Sequence, residues 1–255
     1  SIRKRVGGAA LALTAMLAGA LALPAAVPAA SADTCNVRDL TRASKCPGLN
    51  LRHAYLAGRN LEGEDLSGAN LEGANLTRAD LLAANLRGAD LRHAILDHAS
   101  LRNAELGGAN FDHAELTGTN FLDARASGAT FVGARMLRVN FDRANATAVD
   151  FSYSHITTSR LIVSGFKSTI FNHAVLNDVD LQSTDFHFAK FIDANLEHNI
   201  TIGRINQHFG HTNFTDATFK GAKLTGVKFE TPTHIRDAID CNTVLPDGAV
   251  DDLNC

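Results

Sequence analysis

Residues 66–100 read LSGAN LEGAN LTRAD LLAAN LRGAD LRHAI LDHAS, seven blocks of five that each begin with Leu. The residue two before each of these leucines is Ala from Ala69 to Ala94. A five-residue period matches neither the 3.6 of a helix nor the 2.0 of a strand, so it marks an internal repeat. The beat extends outward in both directions. It starts at Leu51, Leu56 and Leu61, and runs on through Leu101, Leu106, Phe111, Leu116 and Phe121 to Leu196, with thirty such positions between 51 and 196.

The blocks GANLE, GANLT, RADLL, AANLR, GADLR and HAILD between Ser67 and His98 resemble the pentapeptide repeat family, whose motif is Ala, then Asp or Asn, then Leu or Phe, then two variable residues. The resemblance spans about Leu49 to Glu230 and implies an all-β fold: a right-handed quadrilateral β-helix, four pentads to a coil, with small capped ends.

The chain carries its own test of four pentads per coil. If they make one turn, residues twenty apart stack, and packing preferences recur at twenty. Phe111, Phe131, Phe151, Phe171 and Phe191 form one unbroken column; Leu61, Leu81, Leu101, Phe121, Phe141, Leu161 and Leu181 form the opposite one. A third column holds the small pair Ala126 and Ala146, beside the place where Phe121 and Phe141 need volume, as close packing demands. Each inward Leu or Phe contributes about 1.5 to 3 kcal/mol before chain entropy is subtracted, and neighbouring coils supply one another's core. Asn70, Asn75, Asp80, Asn85 and Asp90 precede the centres, where a short polar side chain can bond nearby backbone in a turn. At ~4.8 Å between stacked strands the rod of residues 51–196 is roughly 36 Å long.

After Leu196 the register breaks, resuming at Phe209, Phe214, Phe219, Leu224 and Phe229. Residues 197–208, with His198, Asn199, Gly203 and Arg204, are expected to bulge as a loop, and residues 209–230 to be the final repeats.

The ends are not repeats. Residues 1–32 open with Arg3, Lys4 and Arg5, continue through an uncharged Ala/Leu/Gly run and close with Ala30, Ser31 and Ala32, the order of a secretory signal with cleavage before Asp33. A retained membrane anchor is the rival reading, which Pro24 and Pro28 oppose. Without this segment the chain carries 21 Lys and Arg against 27 Asp and Glu, a net −6. All four cysteines lie outside the repeats. Pairing Cys35 with Cys46 in an amino-terminal cap (33–50) and Cys241 with Cys255 in a carboxy-terminal cap (231–255) would staple both ends, each bond worth about 2 to 3 kcal/mol. Zinc is the alternative, but spacings of eleven and fourteen fit no CxxC pattern. Asn36 to Lys45, and Pro232 to Ile239 capped by Thr231, suit short helices, and Pro246, Asp247 and Gly248 suit a turn. The last stretch, CNTVLPDGAVDDLNC, resembles the tail of some exported members of the family.

No HExxH, GxSxG or GxxxxGK[ST] occurs, so no catalytic residue and no cofactor is expected. Stacking by twenty sorts the outward residues into columns. One reads His53, Gly73, His93, His113, Gly133, Tyr153, His173 and Asp193, placing His93 and His113 about 5 Å apart, within reach of a shared metal, with Glu72 and Asp112 nearby. His93, His113 and His173 are thus the candidate metal-binding or pH-sensing residues. Beside them Arg52, Glu72, Arg92 and Asp112 alternate in sign up to Val132, as a structural charge ladder. A further column alternates Leu82, Leu122 and Ile162 with Arg102 and Asp142, a candidate homodimer or partner face.

Three functions follow as expectations. The first is a non-enzymatic, secreted or envelope scaffold, without stable membrane insertion after signal removal, that binds a protein or envelope partner. The second is the activity the resemblance implies, a DNA-mimicking rod that binds a type II topoisomerase (gyrase); export and wall arginines such as Arg52, Arg92, Arg102, Arg143 and Arg160 oppose it, and binding of nucleic acid itself is not expected. The third is a metal-binding or pH-responsive module built on the His column.

Overall fold

A computed structural model describes residues 47–162, 164–181, 183–196, 201–202, 214, 216–225, 228–229, 243–245, 247 and 249–251. The pentad Leu71–Asn75 shows how the coil is built. Leu71 is buried, Glu72 and Gly73 turn the chain, and the Ala74 N–H donates to the Leu71 carbonyl at 2.9 Å. Gly73 has φ +64°, the third-residue conformation of a type II turn. The Asn70 Oδ1 accepts the Glu72 N–H at 3.1 Å, which is the backbone bond expected of that side chain.

Between coils the backbone pairs in parallel at a spacing of twenty. Asn50 bridges to Asn70, Tyr55 to Asn75, Asn60 to Asp80 and Asp65 to Asn85, and the pattern repeats up the rod. The Leu71 N–H donates to Asp90 O at 2.7 Å, and the Asn75 N–H to Ala54 O at 2.9 Å. The fold is a right-handed quadrilateral β-helix, and among the described residues there is no helix.

The interior is filled. Phe111, Phe131, Phe151 and Phe171 stack with ring centroids 4.6, 5.0 and 5.1 Å apart, and Phe121 lies on Phe141 at 4.4 Å. The two columns meet edge to face, as at Phe121 and Phe131, 5.8 Å apart. Ala126 and Ala146 are buried beside them; one coil on, the sizes exchange, with Leu161 and Leu181 replacing Phe in one column and Phe166 and Phe186 replacing Ala in the next. Cross-section is therefore conserved coil by coil. Hydroxyls at inward small positions reach the coil below: Thr119 Oγ1 donates to Leu96 O at 2.9 Å and Ser164 Oγ to Phe141 O at 2.7 Å. Glu64 is also fully buried, in a column that continues as Ala84, Ala104, Ala124 and Ala144.

One corner departs from the tight turn. Where the small residue is Ala, the turn-closing bond is short, as at Ala114 (3.0 Å) and Ala124 (2.9 Å); at Thr119 and Val149 it stretches to 3.3 Å. At Val139 it is replaced: the Val139 N–H donates to Ser159 Oγ at 3.2 Å. From this coil onward the chain at that corner, which carries Val139, Ser159 and Val179 on successive coils, runs extended. The strands β1 (Arg135–Leu137), β2 (His155–Arg160) and β3 (Val175–Asp180) form a parallel sheet there, with Arg135 opposite His155 and His155 opposite Val175.

Past Leu196 the spacing lengthens. Lys190 bridges to Thr218 and Asn195 to Lys223, 28 residues apart, so eight extra residues (28 − 20) fall between Leu196 and Phe214. Within the segment 197–208, Thr201–Ile202 (β4) pairs in parallel with Lys228–Phe229 (β5); the rest of that segment and Phe209 lie outside the described residues. Phe214, Phe219 and Leu224 are buried centres. Above them Thr243–Val244 (β6) lies on the last coil, with the Leu224 N–H donating to Val244 O at 2.8 Å and Thr243 Oγ1 to Phe219 O at 2.7 Å. The chain then reverses into Val250–Asp251 (β7), closed by the Leu245 N–H to Ala249 O bond at 2.7 Å, with Asp247 in the turn. Residues 1–32, the helices expected in the caps, and Cys35, Cys46, Cys241 and Cys255 lie outside the described residues. Among the described residues no helix is long and apolar enough to cross a membrane.

Candidate interaction surface

The filled interior leaves the outward columns as the place for chemistry. In the His column the His93 and His113 rings stack 5.3 Å apart at 10°. Tyr153 stacks on His173 at 4.8 Å and 17°, and His173 Nδ1 lies 3.8 Å from Asp193 Oδ2. Side chains here lean toward the following coil, which explains the interposed glycines. A Cβ on Gly73 would fall 2.4 Å from His53 Nδ1, and one on Gly133 would fall 2.6 Å from His113 Nδ1. The residue one coil on from each of these histidines is Gly, a stacking ring, or, after His173, the carboxylate of Asp193. Among the described residues no three His, Cys, Asp or Glu side chains converge as a metal site. Glu72 binds Arg52, and Asp112 Oδ1 accepts the Val132 N–H at 2.9 Å.

The charge ladder forms in part. Arg52 grips Glu72 through Nε and Nη2, both at 3.0 Å; the Arg92 contact to Glu72 is looser, at 3.8 Å. Arg92 turns instead to Asp90 on its own coil, through two bonds of 2.8 and 2.7 Å, and leaves Asp112 to cap backbone. Other walls use the same pairing within or between columns: Arg87 and Arg125 both bind Glu105, Arg143 grips Asp123 at 2.7 and 2.6 Å, and Arg160 reaches Asp142 at 2.9 Å. Hydrogen bonds from Arg52, Arg92, Arg87 and Arg143 hold the carboxyls of Glu72, Asp90, Glu105 and Asp123, respectively, below their ordinary values.

Leu82, Leu122 and Ile162 occupy one column as expected, but all three are half-buried, while Arg102 between them is exposed. Among the described residues the large apolar side chains most open to solvent are Tyr55 (61%), Tyr153 (58%), Phe188 (53%) and Leu137 (38%). Phe188 packs edge-on against His187, 4.0 Å between ring centroids. Leu137 and Tyr153 share a concavity of about 780 Å³ at the opened corner, with Glu115, Arg135 and His155 on its wall. Its sequence signal is the change from Ala79 and Ala99 to Thr119, Val139, Ser159 and Val179 along one inward column.

A solenoid of stacked five-residue turns with a filled core and chemistry confined to its walls is a repeat scaffold. The family model for pentapeptide repeats matches in eight copies over residues 50–81, 84–123, 119–157, 166–197 and 206–230, and the chain belongs to that family. Among solved structures it is similar to HetL, a pentapeptide repeat protein involved in heterocyst differentiation regulation from the cyanobacterium Nostoc sp. strain PCC 7120, at 24% identity over 82% of this chain and 90% of that one, TM-score 0.69. It also matches QnrB1, a plasmid-mediated fluoroquinolone resistance protein in a trypsin-treated form, at 18% identity over 78% and 84% of the two chains, TM-score 0.45. A pentapeptide repeat protein of the Arabidopsis thaliana thylakoid lumen matches at 27% over 46% and 71%, TM-score 0.24. No curated protein matches the sequence.

Proposed function

We propose that the chain is a non-enzymatic scaffold exported from the cytoplasm, whose rigid walls bind a partner in the envelope or outside the cell. The observation that carries this reading is the filled core: the inward Leu and Phe from Leu51 to Leu224 are buried at 0 to 1% exposure, so the rod presents fixed walls rather than an enclosed active site. The amino-terminal segment with Arg3, Lys4, Arg5 and the Ala30–Ser31–Ala32 end supplies the argument for export.

The charge pattern favours this over mimicry of duplex DNA. Residues 47–196 carry 13 Lys and Arg against 17 Asp and Glu, a net of only −4, and many of the carboxylates are bound by arginines. A phosphate mimic needs a continuous negative field, which these pairs interrupt. The test of export is to fractionate cells producing the full chain and determine the amino terminus of the recovered protein. Export gives an extracytoplasmic protein beginning at Asp33; an intact precursor in the cytoplasm would contradict it.

A further inference from the structure

The concavity at the opened corner has the chemistry of a ligand site rather than of a plain wall. It lies where the tight turn at Thr117 and Gly118 gives way to the extended segment Arg135–Leu137, so its floor steps between coils. Tyr153 stands at its edge. One face of that ring rests on His173 at 4.8 Å, the preceding coil offers Gly133 in the same column, and Tyr153 remains 58% exposed. Leu137 adds an exposed apolar contact.

The polar groups around this ring are of both kinds. Glu115, Arg135 and His155 occupy one column on successive coils, about 5 Å apart, and all three are exposed. Neither Arg135 nor Glu115 forms an ion pair among the described residues, in contrast to Arg52, Arg87, Arg92, Arg125, Arg143 and Arg160, each of which holds a carboxylate. Thr117 and Thr157 border the same space and bring hydroxyl groups to it. A carboxylate that only accepts, a guanidinium that only donates, and hydroxyls that do both match a ligand whose own groups donate and accept at once. Beside an open aromatic face, that ligand is a neutral polyhydroxylated ring. A polyanion would meet Glu115, and a polycation Arg135.

We propose that this corner is a saccharide-binding site, with Tyr153 as the stacking platform and Arg135, Glu115 and His155 as the hydrogen-bonding groups. It deepens the scaffold reading by naming a ligand class, but it rests on the wall geometry and not on export. A failure of export would leave the site standing, and a failure of binding would leave export standing.

The test is calorimetric titration of the purified protein with neutral tetrasaccharides of β-1,4-linked glucose, β-1,4-linked N-acetylglucosamine and mannose, with tetragalacturonate as the charged comparison and an array of extended peptides in parallel. At least one neutral tetrasaccharide is expected to bind. Tyr153→Ala and Arg135→Ala should each weaken it about tenfold, the size of one lost charged hydrogen bond or aromatic contact. Tyr153→Phe should retain binding, since it keeps the ring and its stack on His173. Tyr55→Ala and Phe188→Ala, exposed aromatics elsewhere on the rod, should leave binding unchanged, with melting temperatures confirming that every variant is folded. No neutral sugar bound at millimolar concentration, binding indifferent to Tyr153→Ala and Arg135→Ala, binding of tetragalacturonate alone, or peptides captured in place of sugars would each overturn the assignment.

Discussion

The ring of Phe219 lies flat on that of Phe191, 4.7 Å between centroids and 5° from parallel, although 28 residues rather than twenty separate them. Phe214 rests on Phe186 in the same way, at 5.1 Å and 6°. The column of stacked rings therefore continues through a lengthened coil without loss of register. The core decides where the coil resumes, eight residues later than the twenty-residue beat.

Shortening that stretch is accordingly expected to be tolerated. Removal of eight residues between Leu196 and Phe214 restores the twenty-residue spacing, and loop-length changes of this size alter closure entropy by only about 0.6 kcal/mol per doubling. The melting temperature of the shortened protein should lie close to that of the parent; loss of cooperative unfolding would show that the added residues belong to the core.

Phe141 and Ala146 share one cross-section, and their sizes are coupled. Phe141→Leu leaves a void and Ala146→Leu overfills the same layer, each destabilising by about 1 to 3 kcal/mol. In the double variant the added methylenes occupy space the ring vacated, so its cost should be less than the sum of the two. Urea unfolding of the four proteins measures the coupling; strict additivity would refute the shared cross-section.

The Arg-bound carboxylates set an acid limit on the rod. Glu72, Asp90, Glu105 and Asp123 are held below their ordinary values by hydrogen bonds from Arg52, Arg92, Arg87 and Arg143. A carboxyl depressed in the folded state contributes stability that is fully present above its unfolded value of about 4 and is lost as pH falls through its folded value. The melting temperature should therefore be flat from pH 7 to 5 with respect to these groups and fall below about pH 4. Arg52→Gln and Arg143→Gln should shrink that fall, and so should high salt, because the pairs are exposed.

Gly133 is required for a reason its neighbours in the sequence do not show. Gly133→Ala places a Cβ 2.6 Å from His113 Nδ1 at a backbone φ of +65°. Gly128→Ala has a similar φ, +70°, with open space around it. Both substitutions strain the backbone by about 1 kcal/mol, but only Gly133→Ala should also displace the His113 ring. In NMR spectra the His93 and His113 ring shifts should move in the first variant and stay in the second.

Much of this architecture is legible in the sequence because a solenoid turns long-range contacts into a fixed sequence interval. Spacing by twenty alone places His93 on His113, Phe111 on Phe131 and Arg52 on Glu72. What escapes it are choices made within a coil. Arg92 has acceptors at both Asp112 and Asp90, and it takes the one two residues away, which the turn already orients. Leu82, Leu122 and Ile162 stand on the expected wall yet are half-buried, while Leu137 and Tyr153, sixteen residues apart and on either side of the Arg135 column, line one concavity at an opened corner. That opening lies at the corner carrying Val139, Ser159 and Val179, and the pentad pattern, which tolerates these residues at the small position, conceals it.

The scaffold reading is tested most directly by affinity capture with the full chain as recovered from cells, set against separate cytoplasmic, envelope and secreted fractions. The account predicts a specific partner, protein or polymer, retained from the envelope or secreted fraction and lost when wall residues are changed with the fold intact, either at Tyr153 and Arg135 or at Leu82, Leu122 and Ile162. Retention of a type II topoisomerase from the cytoplasmic fraction, with nothing specific from the other two, would contradict it.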